Sequence, residues 1–223
     1  MNRTRIGLAV LLIGTLAAGF SFFRKEAIAD SHRQARQLVL YYTLSRVDDP
    51  VILVGDSITE ASTLPRTVCG HPIVNAGLNG ASTASDLGTW LIEALDGKRA
   101  ASIVVSLGTN DALMARSAQT FETDYAALLA RLAKVTDHLS VLAIPGIDVQ
   151  GRMTAEMRAE AMRRIDGFNA ALPALAAKSG ATFIALPAMP NPHTIDGVHL
   201  NAVGYSAWDE AILKEVSAIC GPR

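Results

Sequence analysis

The chain has 223 residues, of which 50% are hydrophobic and 18% charged, enough apolar material for one well-cored domain and too little length for two comfortable ones. Its formal net charge is −1 and no basic run interrupts it, so the electrostatic footprint of a nucleic-acid binder is missing and no nucleic-acid partner is expected.

The uncharged run from Ile6 to Phe23 follows Arg3 and Arg5 and precedes Arg24-Lys25-Glu26. As a helix it would extend roughly 27 Å, just enough to cross the hydrocarbon core of a bilayer. Two readings compete over residues 1–29: a signal peptide cleaved after Ala27-Ile28-Ala29, or an uncleaved signal anchor, favoured by the length of the run and the charges before Ala27. Arg24, Lys25, Arg33 and Arg36 outnumber the N-terminal arginines, so a strict count of flanking positive charge would leave the body cytoplasmic. The cleavage triplet and the even cysteine count point instead to export, to the periplasm or the extracytoplasmic face of the membrane. Cys69 and Cys220 are not spaced as a metal site; they are either one long-range disulfide or two unrelated buried thiols.

Residues 30–49 are expected to form an amphipathic linker helix, with Ala35, Leu38, Val39 and Tyr42 as its apolar stripe, ended by Asp48-Asp49-Pro50. The remaining domain, 50–223, alternates strands and helices. Val51-Ile52-Leu53-Val54 has the continuous apolar character of a strand covered on both faces and stops at Gly55-Asp56-Ser57. Ile73-Val74 is a second strand, leading into Asn75-Ala76-Gly77-Leu78-Asn79-Gly80. A helix over Ser82–Leu95 is followed by the strand Ser102–Leu107, which runs into Gly108-Thr109-Asn110-Asp111. Thr120 is the expected cap of the next helix, whose buried face is Tyr125, Leu128, Leu129 and Leu132. A strand over Leu139–Ile144, a helix over Thr154–Ser179 interrupted at Pro173 and ended by Gly180, and a strand over Thr182–Leu186 follow. A last helix is capped by Asn201. Five strands separated by helices predict a three-layer α/β/α sandwich around a mostly parallel sheet.

In such a sheet the carboxyl ends of all strands share one edge, so Ser57, Gly77, Asn110, Asp196 and His199 can converge although they are distant in sequence. A serine hydroxyl attacks a carbonyl only if a neutral imidazole takes its proton, and the imidazole needs a carboxylate to fix its tautomer. His199 and Asp196 are the candidates for base and partner. Backbone amides of Ser57 and Gly77 and the side-chain amide of Asn110 are candidate donors to the oxyanion. Taken singly, each of these residues is an ordinary turn or cap residue. His193 is a competing base, Asp56 reads as a structural residue, and Ser82 in Gly80-Ala81-Ser82-Thr83-Ala84 is a near miss to a G-x-S-x-G elbow with no firm strand before it. No zinc-protease or P-loop motif is present.

Gly55-Asp56-Ser57, Gly77, Gly108-Thr109-Asn110-Asp111 and Asp196-Gly197-Val198-His199, with His199-Leu200-Asn201 and Gly204-Tyr205 after them, resemble in order and spacing the blocks of the SGNH (GDSL-type) hydrolases. Ile58 stands where the family name has leucine. The resemblance covers nearly all of the chain after Pro50. It implies a five-stranded flavodoxin-like sheet of order 2-1-3-4-5 and ester hydrolysis without metal or cofactor. In that scheme Ser57 is the nucleophile, His199 the base and Asp196 its partner, with Ser57, Gly77 and Asn110 as the oxyanion hole. The expected substrate is a small-molecule, glycan or lipid ester, with an acetylated cell-envelope glycan as one candidate whose only motive is export, since the loops 112–119, 146–153 and 187–195 carry no aromatic platform. A lysophospholipase or thioesterase acting on acyl lipids is the alternative, for which Met114, Met153 and Met189 would line a groove. An O-acyltransferase using the same serine and a membrane-tethered binding domain without chemistry are further alternatives.

Overall fold

The computed structural model describes residues 30–149, 151 and 153–220. The apolar run 6–23 and the cleavage triplet lie outside the described residues. Among the described residues no helix is long and apolar enough to cross a membrane. Residues 30–39 are helical, and the compact unit Leu40–Arg223 begins within the same helix, α1, which is described over residues 30–44.

The centre of that unit is a sheet of strands β1 (Val51–Gly55), β2 (Thr67–Val68), β3 (His71–Gly77), β4 (Ser102–Ser106), β5 (Leu139–Leu142) and β6 (Thr182–Ile184). Their order is β2-β3-β1-β4-β5-β6, with β2 antiparallel to β3 and every other pairing parallel. The five parallel strands have the expected order, and the two-residue β2 adds an edge that its sequence does not announce. Gly55 pairs with Gly77 on one side and Ser106 on the other, so the ends of three central strands are level.

The helices are α2 (Ser57–Glu60), α3 (Leu87–Leu95), α4 (Thr109–Leu113), α5 (Ala118–Leu132), α6 (Ala155–Lys178) and α7 (Ala202–Val216). The unbroken apolar run of β1 follows from what covers it. Ile52 and Val54 pack with Leu91, Tyr125, Leu129, Phe168 and Leu172 from α3, α5 and α6, whereas Val51 and Leu53 pack with Trp208, Ile212 and Val216 of α7. Both faces are dry, so alternation with polar residues would place a polar group in a core. Each such aliphatic side chain contributes about 1.5–3 kcal/mol by burial.

Several boundaries differ from the expected ones. The stripe proposed for α1 is not its buried face: Ala35, Leu38, Val39 and Tyr42 are exposed, and Leu40 and Leu44 are the buried positions. Only the end of the helix that belongs to the compact unit is buried, through two residues four apart, while Tyr42 packs edge-on against Tyr41. Helix α3 starts at Leu87 rather than Ser82, because residues 82–86 form a turn in which Ser85 Oγ accepts the Ser82 amide. Helix α5 is capped by Ser117, whose Oγ accepts the amide of Thr120, the residue expected as cap. Helix α6 continues through Pro173. The proline removes only the donor that would serve the Asn169 carbonyl, and the Asn169 side chain pairs with both the amide and the carbonyl of Ile144 at the end of β5. Asn201 caps α7 as expected, accepting from the amides of Val203 and Gly204. Cys69 and Cys220 are joined in a disulfide, Cα to Cα 5.7 Å, which fastens the β2 edge to the segment after α7.

Candidate active site

Ser57 is the first residue of α2, immediately beyond the carboxyl end of β1. Asp56 is the N-cap, its Oδ1 accepting the Ile58 amide at 2.9 Å, so the residue that reads as structural holds the turn in which Ser57 sits. Helix α2 is pinned from two sides. The Tyr205 hydroxyl of α7 donates to the Ile58 carbonyl at 2.7 Å, and Asn75 Nδ2 of β3 donates to the Thr59 carbonyl at 2.7 Å. At Gly77 the strand runs so close to α2 that a Cβ would fall 2.3 Å from the Glu60 amide nitrogen, and glycine is required there for packing.

The loop after β6 brings the other two residues in. His199 Nε2 lies 3.0 Å from Ser57 Oγ, and His199 Nδ1 lies 2.7 Å from Asp196 Oδ2. The second oxygen, Asp196 Oδ1, accepts the amides of Val198 at 3.0 Å and His199 at 2.8 Å, which fixes the carboxylate before the imidazole meets it. Burial pushes the Asp196 carboxyl up, but the His199 ring, the two amides and the imidazole charge outweigh it, and its pKa is held below the ordinary value. An ionised carboxylate can only accept, so the proton on the ring belongs on Nδ1 and the Nε2 lone pair is turned to the Ser57 hydroxyl.

The expected oxyanion donors are placed differently from one another. The Ser57 amide is in the first turn of α2, where the helix itself offers no acceptor. Asn110, in α4, donates one Nδ2 hydrogen to the Ala81 carbonyl at 2.8 Å, which orients the amide group and leaves the other hydrogen. The Gly77 amide does not fit its expected role: it donates to Asn75 Oδ1 at 2.9 Å, because the asparagine two residues earlier folds back along the strand end. Gly80 is a residue that sequence reasoning passed over. Its neighbours are held on either side, the Asn79 amide by Glu60 Oε2 at 2.6 Å and the Ala81 carbonyl by Asn110, and its own amide makes no hydrogen bond among the described residues. The available signal was the second glycine in Asn75-Ala76-Gly77-Leu78-Asn79-Gly80.

Two more carboxylates lie beneath this surface. Asp56 is buried and its pKa is raised to about 7, by burial above all, against the pull of the Ile58 amide and of His199. Asp111 is fully buried and accepts the Thr83 hydroxyl at 2.6 Å and the Thr83 amide, with Arg116 Nε at 3.1 Å as its counter-charge. Burial raises its pKa, and these partners pull it back. Arg116 also pairs with Asp124 of α5. The network ties the segment carrying Ala81 and Thr83 to α4, and so supports the acceptor that orients Asn110.

The competing candidates are placed elsewhere. His193 is buried, with Nε2 3.0 Å from the Gly146 carbonyl and Nδ1 3.0 Å from Asp148 Oδ1, and Ser57 faces His199 instead. Ser82 is buried in the turn before α3, with no strand leading into it. Met114 is exposed, and Met153 and Met189 pack against separate core clusters, so the three do not form one groove. Among the described residues no group of three or more His, Cys, Asp or Glu side chains could hold a metal ion.

The fold has relatives. The chain matches the GDSL-like Lipase/Acylhydrolase family over residues 53–207. No curated protein matches it. Similar solved structures include one from Streptococcus pneumonia named for platelet activating factor, with 22% identity, a TM-score of 0.71, and 89% of this chain and 99% of that chain covered. A lipase/acylhydrolase from Enterococcus faecalis has 19% identity and a TM-score of 0.62 over 78% of this chain and 98% of its own. The acetylxylan esterase Axe2 from Geobacillus stearothermophilus has 16% identity and a TM-score of 0.57 over 75% of this chain and 94% of its own. At these identities the structures speak for the fold, a mostly parallel sheet between helices, while the family match covers well over half of the chain and includes Ser57, Asn110, Asp196 and His199. The chain belongs to the GDSL-like lipase/acylhydrolase family and is an SGNH-type ester hydrolase.

Proposed function

We propose that Ser57 is the nucleophile of a serine esterase that works through an acyl-enzyme, with His199 as general base and Asp196 as its partner. The observation that carries this reading is the continuous chain of contacts from Ser57 Oγ through His199 to Asp196, at 3.0 and 2.7 Å. As Oγ attacks the ester carbonyl, its proton moves to His199 Nε2. Asp196 stabilises the imidazolium, which then protonates the departing alcohol. Water, deprotonated by the same imidazole, releases the acid and restores Ser57. The carbonyl oxygen becomes negative in each step, and the donors for it are the Ser57 amide, Asn110 Nδ2 and, in place of Gly77, the Gly80 amide.

The substrate we propose is a short acyl ester, an acetylated glycan of the cell envelope. The acetylxylan esterase among the structural relatives supports the acyl group. Export is supported by the Cys69–Cys220 disulfide, which persists in oxidising compartments, and by the apolar run 6–23 with arginines before it. The body would then lie in the periplasm or on the extracytoplasmic face of a membrane.

The test is turnover of p-nitrophenyl esters from acetyl to palmitoyl by the wild type and Ser57→Ala. Ser57→Ala should abolish hydrolysis with the fold intact, and kcat/KM of the wild type should fall steeply beyond butyryl. Undiminished turnover by Ser57→Ala rejects the nucleophile, and a preference for long chains rejects the acetyl substrate in favour of an acyl lipid.

A further inference from the structure

The loop that carries Asp196 and His199 is fastened to a buried carboxylate on a different loop. Asp148 lies between β5 and α6 and is 3% exposed. Its Oδ2 accepts the His193 amide at 2.8 Å, the Thr194 amide at 2.8 Å and the Thr194 hydroxyl at 2.9 Å. Its Oδ1 faces His193 Nδ1 at 3.0 Å. The contact continues past Thr194, whose Oγ1 accepts the Gly197 amide at 3.0 Å, while the Asp148 amide donates to the Gly197 carbonyl at 2.9 Å. Asp196 is therefore bracketed, with Thr194 and Gly197 both tied to Asp148 and only Ile195 and Asp196 itself between them. The same loop presses on Asp196 directly: Gly151 has φ +98° and a Cβ there would fall 1.9 Å from the Asp196 carbonyl oxygen.

We propose that Asp148 is a positioning residue for the hydrolysis, setting through Thr194 and Gly197 where the Asp196 carboxylate stands and hence how His199 meets Ser57. The proposal rests on the reading of Asp196 and His199 as the catalytic pair. A side-chain oxygen acceptor suits the position because three donors, the His193 amide and the Thr194 amide and hydroxyl, converge on Oδ2. Burial works against the Asp148 charge, but the Thr194 hydroxyl and amide, the His193 amide and the His193 ring outweigh it and hold its pKa below the ordinary value. A displacement of about 1 Å at a catalytic group costs on the order of 10²-fold in rate, so the lever is large although Asp148 touches no substrate.

The experiment is a double-mutant cycle on the full chain, with kcat and KM for p-nitrophenyl acetate measured for Asp148→Ala, Asp196→Ala and the pair. Asp148→Ala should lower kcat by about 10²-fold with KM changed less than about threefold. In the Asp196→Ala background the same substitution should change kcat by less than about twofold, because the group it positions is gone. Thr194→Val, which keeps the shape and removes the relay hydroxyl, should lower kcat roughly tenfold and serves if Asp148→Ala does not fold. Asp148→Asn, which retains an oxygen for the three donors, should recover most of kcat. Equal losses in both backgrounds, or a rise in KM with kcat unchanged, overturn the proposal while the triad stands. If Asp196→Ala itself has no effect on kcat, the triad reading fails and the positioning role with it.

Discussion

Two imidazoles, His193 and His199, lie six residues apart on one loop and each faces a carboxylate, but the proposed triad gives them opposite ends. In His199–Asp196 the side chains are 40% and 50% exposed, and the free ring nitrogen faces a serine hydroxyl. In His193–Asp148 they are 8% and 1% exposed, and the corresponding nitrogen faces the Gly146 carbonyl. A ring that ends on a hydroxyl can take up and return a proton, whereas a ring that ends on a carbonyl can only hold its place. In the proposed mechanism, what separates the base His199 from the rivet His193 is the group beyond the ring and its access to water, not the histidine or its carboxylate.

Removing the first ring gives the largest expected effect. His199→Ala should lower kcat by about 10⁴-fold, read with p-nitrophenyl acetate, with the thermal midpoint unchanged within a few degrees. A loss below tenfold would erase the distinction between the pairs. Next is the proposed oxyanion donor Asn110: Asn110→Ala should lower kcat by about 10²–10³-fold with little change in KM, and a change in KM alone would make Asn110 a binding residue.

The second ring should give the reverse pattern. His193→Ala leaves Oδ1 of the buried Asp148 carboxylate without the ring it faces but keeps the residue 193 amide, so denaturant unfolding should show a loss of about 1–3 kcal/mol while kcat falls less than tenfold. A loss of activity comparable to that of His199→Ala, without loss of stability, would make it a base after all.

Asp56 sharpens the comparison as a buried carboxylate with no imidazole or guanidinium hydrogen-bonded to it. Its pKa is raised to about 7, chiefly by burial, from an ordinary value of 3.8. A raised carboxyl pKa means the folded state binds the proton more tightly than the unfolded state, so stability declines as pH rises from about 4 to 7 and the cost of charge is complete above that. Asp56→Asn keeps an acceptor for the Ile58 amide and removes the charge. It should therefore stabilise the fold by about 1–2 kcal/mol at pH 8 and by almost nothing at pH 4, and equal effects at both pH values would contradict the burial argument.

The parts of this molecule that could be read from its sequence are those with a local signature. Val51-Ile52-Leu53-Val54 announces a doubly covered strand because both of its faces meet helices, and Asn201 announces a cap because capping needs only neighbouring amides. Ser57, Asp196 and His199 were legible as a set because strand ends share an edge. Asp148 was not, because its partners at 193, 194 and 197 lie on another loop and nothing within its own neighbourhood asks for a carboxylate. The stripe on α1 misled for a related reason: spacing identifies faces that share apolar residues, but only contact with the body selects Leu40 and Leu44. Gly77 was misassigned as a donor because a glycine can be required for close packing against Glu60, while Gly80 keeps its amide available. Two residues of β2 carry no pattern at all.

The central claim is that the hydroxyl at position 57 is the one activated. The most direct measurement is peptide mapping after reaction of the wild type and His199→Ala with a fluorophosphonate probe. A single adduct on Ser57 in the wild type and almost none in His199→Ala is the expected result. An adduct on Ser82, or equal labelling of Ser57 with and without the His199 ring, would contradict it.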